Sequence, residues 1–174
     1  MIYVLDDATS LEQNKEFEEY FDKQELTNLP ATVPHTDPEV YQSTPYQKEI
    51  ECETKILDDD LLHTCEFFAP VIRAMIPQIG DVGVHAARLN LINISKSTNH
   101  TPFHRDFPND HWVGVYYIND ANGDTIVFDD GEAKYIEPKR DRLLFFPGQF
   151  HAIDLKDDIN NRKILNYCFE LKNP

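Results

Sequence analysis

The stretch TPFHRDF, residues 101–107, sets His104 and Asp106 two positions apart, behind a proline and between two phenylalanines. On a helix, residues i and i+2 diverge by about 200° and cannot share a ligand. On a strand they project from the same face. Read as a strand, the segment offers an imidazole and a carboxylate that either converge on a ligand or form an acid–base pair. The surrounding sequence decides between these.

Those surroundings read as β. After about residue 84 come HAARLNLINIS, PFHRDF, HWVGVYYIN, DTIVFDD, AKYIEP, RLLFFP, FHAIDL and RKILNYCFEL. They are rich in β-branched, aromatic and leucine residues, and turn formers such as DANGD, PKRDR and PGQ separate them. About eight short strands at even spacing suggest an antiparallel sandwich or barrel, and a double-sheet jelly roll fits best. The first half differs. IYVLD (2–6) reads as a strand. A helix follows Ser10, which forms a capping box with Gln13. Residues 27–47 carry Pro30, Pro34, Pro38 and Pro45 and read as irregular. A second helix is predicted over 58–78, capped by Asp58 or Asp59, with Leu61, Leu62, Cys65, Phe68, Ala69 and Ile72 inward and Pro70 as a kink. The expected class is mainly β with N-terminal helices (α+β). Residues 1–174 form a single domain in this reading, with 1–84 as helical and irregular support and 85–174 as the jelly-roll core.

Composition limits the function. The 174 residues suit one core, and 41% are hydrophobic. Net charge is −15; residues 1–85 hold 18 acids against 5 Lys and Arg, and residues 86–174 hold 13 against 11. Such a surface repels phosphate backbones and anionic membranes, so neither nucleic acid nor membrane is an expected partner. The segment MIYVLDDATS has acids where a secretory leader carries lysines, and a cytoplasmic protein is expected. Cys52, Cys65 and Cys168 are too scattered for a disulfide framework or a zinc motif and read as buried thiols.

The β half also supplies a metal-ligand set. His104 and Asp106 are joined by His151, after a proline–glycine turn, and by Arg162 at the start of the last long strand. Two imidazoles and one carboxylate make the facial triad suited to non-haem Fe(II), with three positions left open. HxD alone is a weak signal; HxD with a distant His and an Arg about ten residues further on, all on predicted strands, is much stronger. A second HxD, HTD at 35–37, with His63 and Arg73, mimics the spacing. It is rejected because Pro38 follows it, because His63 and Arg73 fall on the predicted helix, and because too few residues intervene to build the strands between.

These residues, with VYYIND (115–120), GDTIVFDDG (123–131), IEPKRDRLLFFPGQFHAI (136–153) and NRKILNYCF (161–169), carry a family resemblance over about half the chain. The sequence resembles the Fe(II)- and 2-oxoglutarate-dependent oxygenases, in particular the compact prolyl-4-hydroxylase-like branch, and is similar to small members borne by bacteriophages, for which the cytoplasm is the host's. The resemblance implies that His104, Asp106 and His151 bind Fe(II). It implies that Arg162 pairs with the C5 carboxylate of the cosubstrate 2-oxoglutarate, helped by the Tyr117 hydroxyl, and that Asn90 lines the cosubstrate pocket. O2 is the oxidant, ascorbate is supportive, and succinate and CO2 are coproducts. Asp106 favours hydroxylation, since halogenating relatives lack that carboxylate. One departure is Ile164, where many relatives carry Ser or Thr; Lys163 faces the other way. The resemblance points to peptidyl proline as substrate. The alternatives are a free amino acid or small metabolite, and a non-catalytic cupin-like metal module. A role for the acidic half in host interaction is compatible with catalysis. His85, His100 and His111 read as surface or loop histidines, His111 and Trp112 as possible neighbours of the site mouth, and Tyr41 and Tyr46 as packing or flap residues.

Overall fold

Ten strands and two helices make up the described part of the computed structural model, which covers residues 1–28, 50–57, 66–96 and 100–172. The strands are β1 (Tyr3–Leu5), β2 (Thr27–Asn28), β3 (Ile50–Ile56), β4 (Val82–Ile94), β5 (Trp112–Tyr117), β6 (Thr125–Asp129), β7 (Glu132–Ile136), β8 (Arg142–Pro147), β9 (His151–Ile153) and β10 (Ile159–Leu171). The helices are α1 (Leu11–Asp22) and α2 (Ala69–Ile79). A seven-stranded sheet has the order β1-β8-β5-β10-β4-β3-β2, and a three-stranded sheet has the order β7-β6-β9. All pairings are antiparallel. This is the expected two-sheet architecture.

β10 is the spine of the large sheet, paired with β4 on one side and β5 on the other. Both of its faces are covered over Ile164–Phe169, where five of six residues are apolar and do not alternate. On one face Leu165, Tyr167 and Phe169 pack with Phe17 and Phe21 of α1 and Ile72 and Met75 of α2. On the other face Ile164 and Cys168 pack with Ile92, Val113 and Val115, and with Val127 and Ile136 of the small sheet. Residues opposite each other in an antiparallel ladder share a face. Arg162, paired with Ile92, therefore projects between the sheets, and Lys163, paired with Leu91, projects toward the helices. Lys163 Nζ lies 2.6 Å from Asp22 and 3.5 Å from Glu18, which settles the side on which it works.

Helix α1 begins as its sequence specifies: the Ser10 hydroxyl accepts from Gln13 N (3.2 Å), and Ser10 N donates to the Gln13 side chain (3.0 Å). A buried polar knot fastens it to the sheet. Asn14 Nδ2 donates to the Tyr116 hydroxyl (2.9 Å), which donates to Asp141 (2.8 Å).

Three expectations change. The described second helix spans Ala69–Ile79, and the predicted start, with Asp58, Asp59, Leu61, Leu62 and Cys65, lies outside the described residues. Pro70 does not kink it; it sits in the first turn, where its missing N–H has no partner to lose, and Pro77 is the proline inside the helix. Among the described residues following position 84 there are seven strands rather than about eight, counting β4, which starts at Val82. The missing one is TPFHRDF. The proline-rich segment 29–49, with HTD and the two tyrosines, and His63 lie outside the described residues. Among the described residues no helix is long and apolar enough to cross a membrane.

Candidate metal centre

TPFHRDF runs alongside β9 without forming a regular strand. Two isolated bridges join residues 100–104 to residues 151–154, His100 to Asp154 just outside the two segments and His104 to His151 within them. Pro102 lies between the bridges and has no N–H for the ladder. The Thr101 hydroxyl fills in by accepting from Ile153 N (2.8 Å). His104 and His151 exchange both backbone bonds, each 3.0 Å, so their side chains stand on one face. The imidazole centroids are 4.3 Å apart. Asp106 follows two residues on and turns to the same point. The i, i+2 spacing thus brings the imidazole and the carboxylate toward one point, although His104 is held by an isolated bridge rather than a strand.

Each imidazole is oriented by its own backbone. His104 Nδ1 lies 3.2 Å from Pro102 O, and His151 Nδ1 lies 3.1 Å from Gln149 O. A carbonyl can only accept, so both Nδ1 atoms carry the proton and both Nε2 lone pairs point at Asp106. His104 Nε2 is 3.9 Å from Asp106 Oδ1, and His151 Nε2 is 3.8 Å from Oδ2. These distances are too long for hydrogen bonds. They lie within the roughly 4 Å that two metal–ligand bonds of about 2.1 Å can bridge. Asp106 is 5% exposed, and its Oδ2 has no hydrogen-bond partner among the described residues. Burial, reinforced by His151, pushes the His104 imidazole down to about 4, against the pull of Asp106. Burial drives the Asp106 carboxyl upward, but His151 and His104 outweigh it and hold it below the usual carboxylate value. Two imidazoles and one carboxylate converging on one point form a donor set that fits a divalent first-row metal with one face open.

Deeper between the sheets lies Arg162, 2% exposed. Its Nη2 donates to the Thr125 hydroxyl at 2.8 Å, while Nε and Nη1 have no partner among the described residues. The guanidinium also lies 5.5 Å from the ring centroid of Tyr117, whose hydroxyl is 2.6 Å from the same Thr125 oxygen. Burial raises the Tyr117 phenol, so it stays protonated beside the cation. A buried guanidinium with unpaired donors and no carboxylate partner is costly unless an anion completes it. The donors fit the carboxylate of a small acid. Asn90 lies on the same inner face, paired with Ile164, and its Oδ1 accepts from Thr54 (2.6 Å).

The sequence reading missed Thr125. Its position opposite Arg162 comes from the small sheet crossing the large one, which no local pattern reveals. The signal available was the gap at Ile164, now seen packed between the sheets, which called for a hydroxyl from another strand. His111 stands in the loop before β5, as a loop histidine was expected to, but it is buried there rather than at the surface. It is 7% exposed, its Nδ1 lies 2.7 Å from Asn109 O, and its Nε2 is buried without a partner. With Asp106 and Cys168 it forms a second grouping of potential ligand atoms, all within 4.8 Å of one another, which shares the same carboxylate. Trp112 and His111 line a groove of about 760 Å³ beside the triad, with Arg105, Gln149, Phe150 and Leu171. His85 is a surface residue, 3.4 Å from Glu170.

No family model matches this sequence, and no curated protein does. Solved structures do match. An oxidoreductase of the 2OG-Fe(II) oxygenase family from Burkholderia pseudomallei superposes with a TM-score of 0.67 at 13% identity, covering 99% of this chain and 86% of its own. A prolyl hydroxylase in complex with a hypoxia inducible factor peptide, from Trichoplax adhaerens, gives 0.61 at 14% identity, covering 97% and 83%. The non-heme alpha ketoglutarate dependent epimerase SnoN of nogalamycin biosynthesis gives 0.64 at 10% identity, covering 98% and 77%. The described residues have the jelly-roll fold of these 2-oxoglutarate/Fe(II) oxygenases.

Proposed function

We propose that this protein is an Fe(II)- and 2-oxoglutarate-dependent oxygenase that hydroxylates its substrate, with peptidyl proline as the preferred substrate class. The observation that carries the reading is Arg162. A structural metal module has no use for a buried guanidinium with two unpaired nitrogens between its sheets. A dicarboxylate cosubstrate does. His104, Asp106 and His151 would hold the iron, and the bound metal would supply oxidising chemistry in which O2 is the oxidant and 2-oxoglutarate the co-reductant, one oxygen atom going to succinate as CO2 is lost and the other to the substrate.

The chain's own contribution is positioning. The carbonyls of Pro102 and Gln149 fix both imidazole tautomers, and Phe146 stands edge-on to His151 at 5.2 Å. Arg162, Thr125 and Tyr117 form one connected donor group for a carboxylate, which a guanidinium fork matches well. The apolar residues around them, Ile164, Val115 and Leu144, keep water from competing. The likeness to a prolyl hydroxylase supports the peptidyl-proline reading. The equally good superposition of an epimerase supports a small-molecule substrate as the second reading.

The test is succinate formation from 2-oxoglutarate with Fe(II), ascorbate and air, first alone and then with proline peptides. Iron-dependent succinate that disappears in His104→Ala is expected. Absence of both iron and 2-oxoglutarate binding would return the protein to the cupin-like scaffold class.

A further inference from the structure

Besides Asn90, the inner face of β4 carries a second polar residue, which neither the triad nor the Arg162 group uses. Arg88 is paired with Asn166 of β10 and with Ile56 of β3. Its row continues to Val115 and Leu144. Exposure falls along the row, from 68% at Ile56 to zero at Leu144. Arg88 is half-buried at the point where this row passes from solvent into the space between the sheets.

Two features make it unusual. First, Arg88 has no hydrogen bond or ion pair among the described residues. Other cations of this half do: Arg140 meets Glu18, Arg142 meets Asp6, Lys156 meets Asp154 and Lys163 meets Asp22. In a protein of charge −15, an inward arginine without an acid is conspicuous. Second, it neighbours the metal corner. The next inward row holds Cys168, whose ligand atom lies within 4.8 Å of that of Asp106. The charge of Arg88 is felt at His104, Asp106 and Cys168. Beside it, Asn166 Oδ1 is buried without a partner. Arg162 is four residues along β10 from Asn166, about 13 Å of strand, so the two guanidinium groups serve different ligands.

We infer that Arg88 binds a carboxylate of the primary substrate, so that the molecule oxidised is an acid, either a free small acid or a peptide with an acidic group near the reacting carbon. The inference rests on the oxygenase reading and narrows its substrate class. One guanidinium neutralises one carboxylate and pairs with it through two parallel bonds. A phosphate dianion would keep a net negative charge beside Asp106. Asn166 Oδ1 is placed to accept an N–H or O–H of the same molecule.

The test is calorimetry under argon on the full chain loaded with Fe(II) and saturated with 2-oxoglutarate, so that the Arg162 site is filled. The probes are acid and amide pairs: benzoate with benzamide, N-acetylproline with its amide, and acetyl-Pro-Asp-amide with acetyl-Pro-Asn-amide, together with inorganic phosphate. At least one acid is expected to bind where its amide does not. Its affinity should fall about tenfold or more in Arg88→Gln and largely survive in Arg88→Lys. Which pair responds distinguishes a small acid from an acidic peptide. Amides binding as well as acids, phosphate preferred over every acid, no acid binding, or equal binding to Arg88→Gln would each overturn the inference. So would a loss of 2-oxoglutarate affinity in Arg88→Gln as large as that in Arg162→Gln, which would assign Arg88 to the cosubstrate. Failure of the iron-loaded wild type to bind 2-oxoglutarate would instead remove the oxygenase reading, and this inference with it.

Discussion

Replacing Arg162 by methionine separates a ligand-binding arginine from a structural one. Methionine keeps much of the volume and removes the charge. In the cosubstrate-free protein, the wild-type guanidinium makes one hydrogen bond, to Thr125, and one ring contact, with Tyr117. Losing these costs about 1 kcal/mol each. Against that, Nε and Nη1 are buried donors without partners, at about 1–3 kcal/mol each. The variant without 2-oxoglutarate should therefore be as stable as wild type, or more stable by about 1–3 kcal/mol. Cosubstrate binding moves the other way. Two charge-assisted bonds to a carboxylate contribute about 3–6 kcal/mol, a factor of roughly 10² to 10⁴ in Kd. Urea unfolding of the metal-free protein reads the first effect, and anaerobic calorimetry of the Fe(II)-loaded protein reads the second. A variant destabilised by more than about 2 kcal/mol that still bound 2-oxoglutarate normally would refute the reasoning. Arg162 would then be a core residue with an unrecognised structural partner.

Four further outcomes follow from the same geometry. Thr125→Val breaks the hydroxyl shared by Arg162 and Tyr117, and the Kd for 2-oxoglutarate should rise about tenfold with iron binding intact. Asp106→Ala should abolish Fe(II) binding while the metal-free protein stays folded, because Oδ2 has no protein partner to lose; retained iron on a metal titration would remove the carboxylate from the ligand set. The metal-free protein should lose stability as pH falls from about 6.5 to about 4, because the unfolded chain protonates His104 over that window and the folded chain does not. The loss is at most about 3 kcal/mol, and urea midpoints of His104→Gln should be flatter there; Asp106, held below 3.8, acts only at lower pH. Gly114→Ala would place a Cβ 2.4 Å from the Tyr167 ring, so a drop of about 1–3 kcal/mol is expected in thermal or urea unfolding.

The sequence was most legible where a residue's job depends on its own strand. β10 and β4 are long, and strand parity sorts their side chains onto two faces. Arg162 and Lys163 could be assigned to opposite faces by parity alone, and the ladder confirms it. The capping box of α1 was legible because all its partners lie within four residues. Legibility failed where two distant segments meet. Thr125 reaches Arg162 only because the small sheet packs over the large one. His111 is buried because the turn at Gly148 closes on it: a Cβ at that glycine would lie 2.3 Å from its ring. Neither contact leaves a trace in local spacing.

TPFHRDF shows why the site was readable even though its strand was not. A regular strand would fix His104 and Asp106 through a full ladder. Here Pro102 interrupts that ladder, and of the two isolated bridges left, only the one at His104 includes a residue of the site. Yet that one bridge is the hydrogen-bonded kind, closed by two bonds of 3.0 Å onto His151 itself. The same pair of bonds therefore positions two ligands at once, and the carbonyls on either side set their tautomers. The i, i+2 spacing needs extended backbone only from 104 to 106, not a strand. Asp106 is the ligand furthest from backbone pairing, held by burial and by the two imidazoles. It follows that one pair of backbone bonds sets both histidines, and that the carboxylate is the member of the three least fixed by backbone pairing.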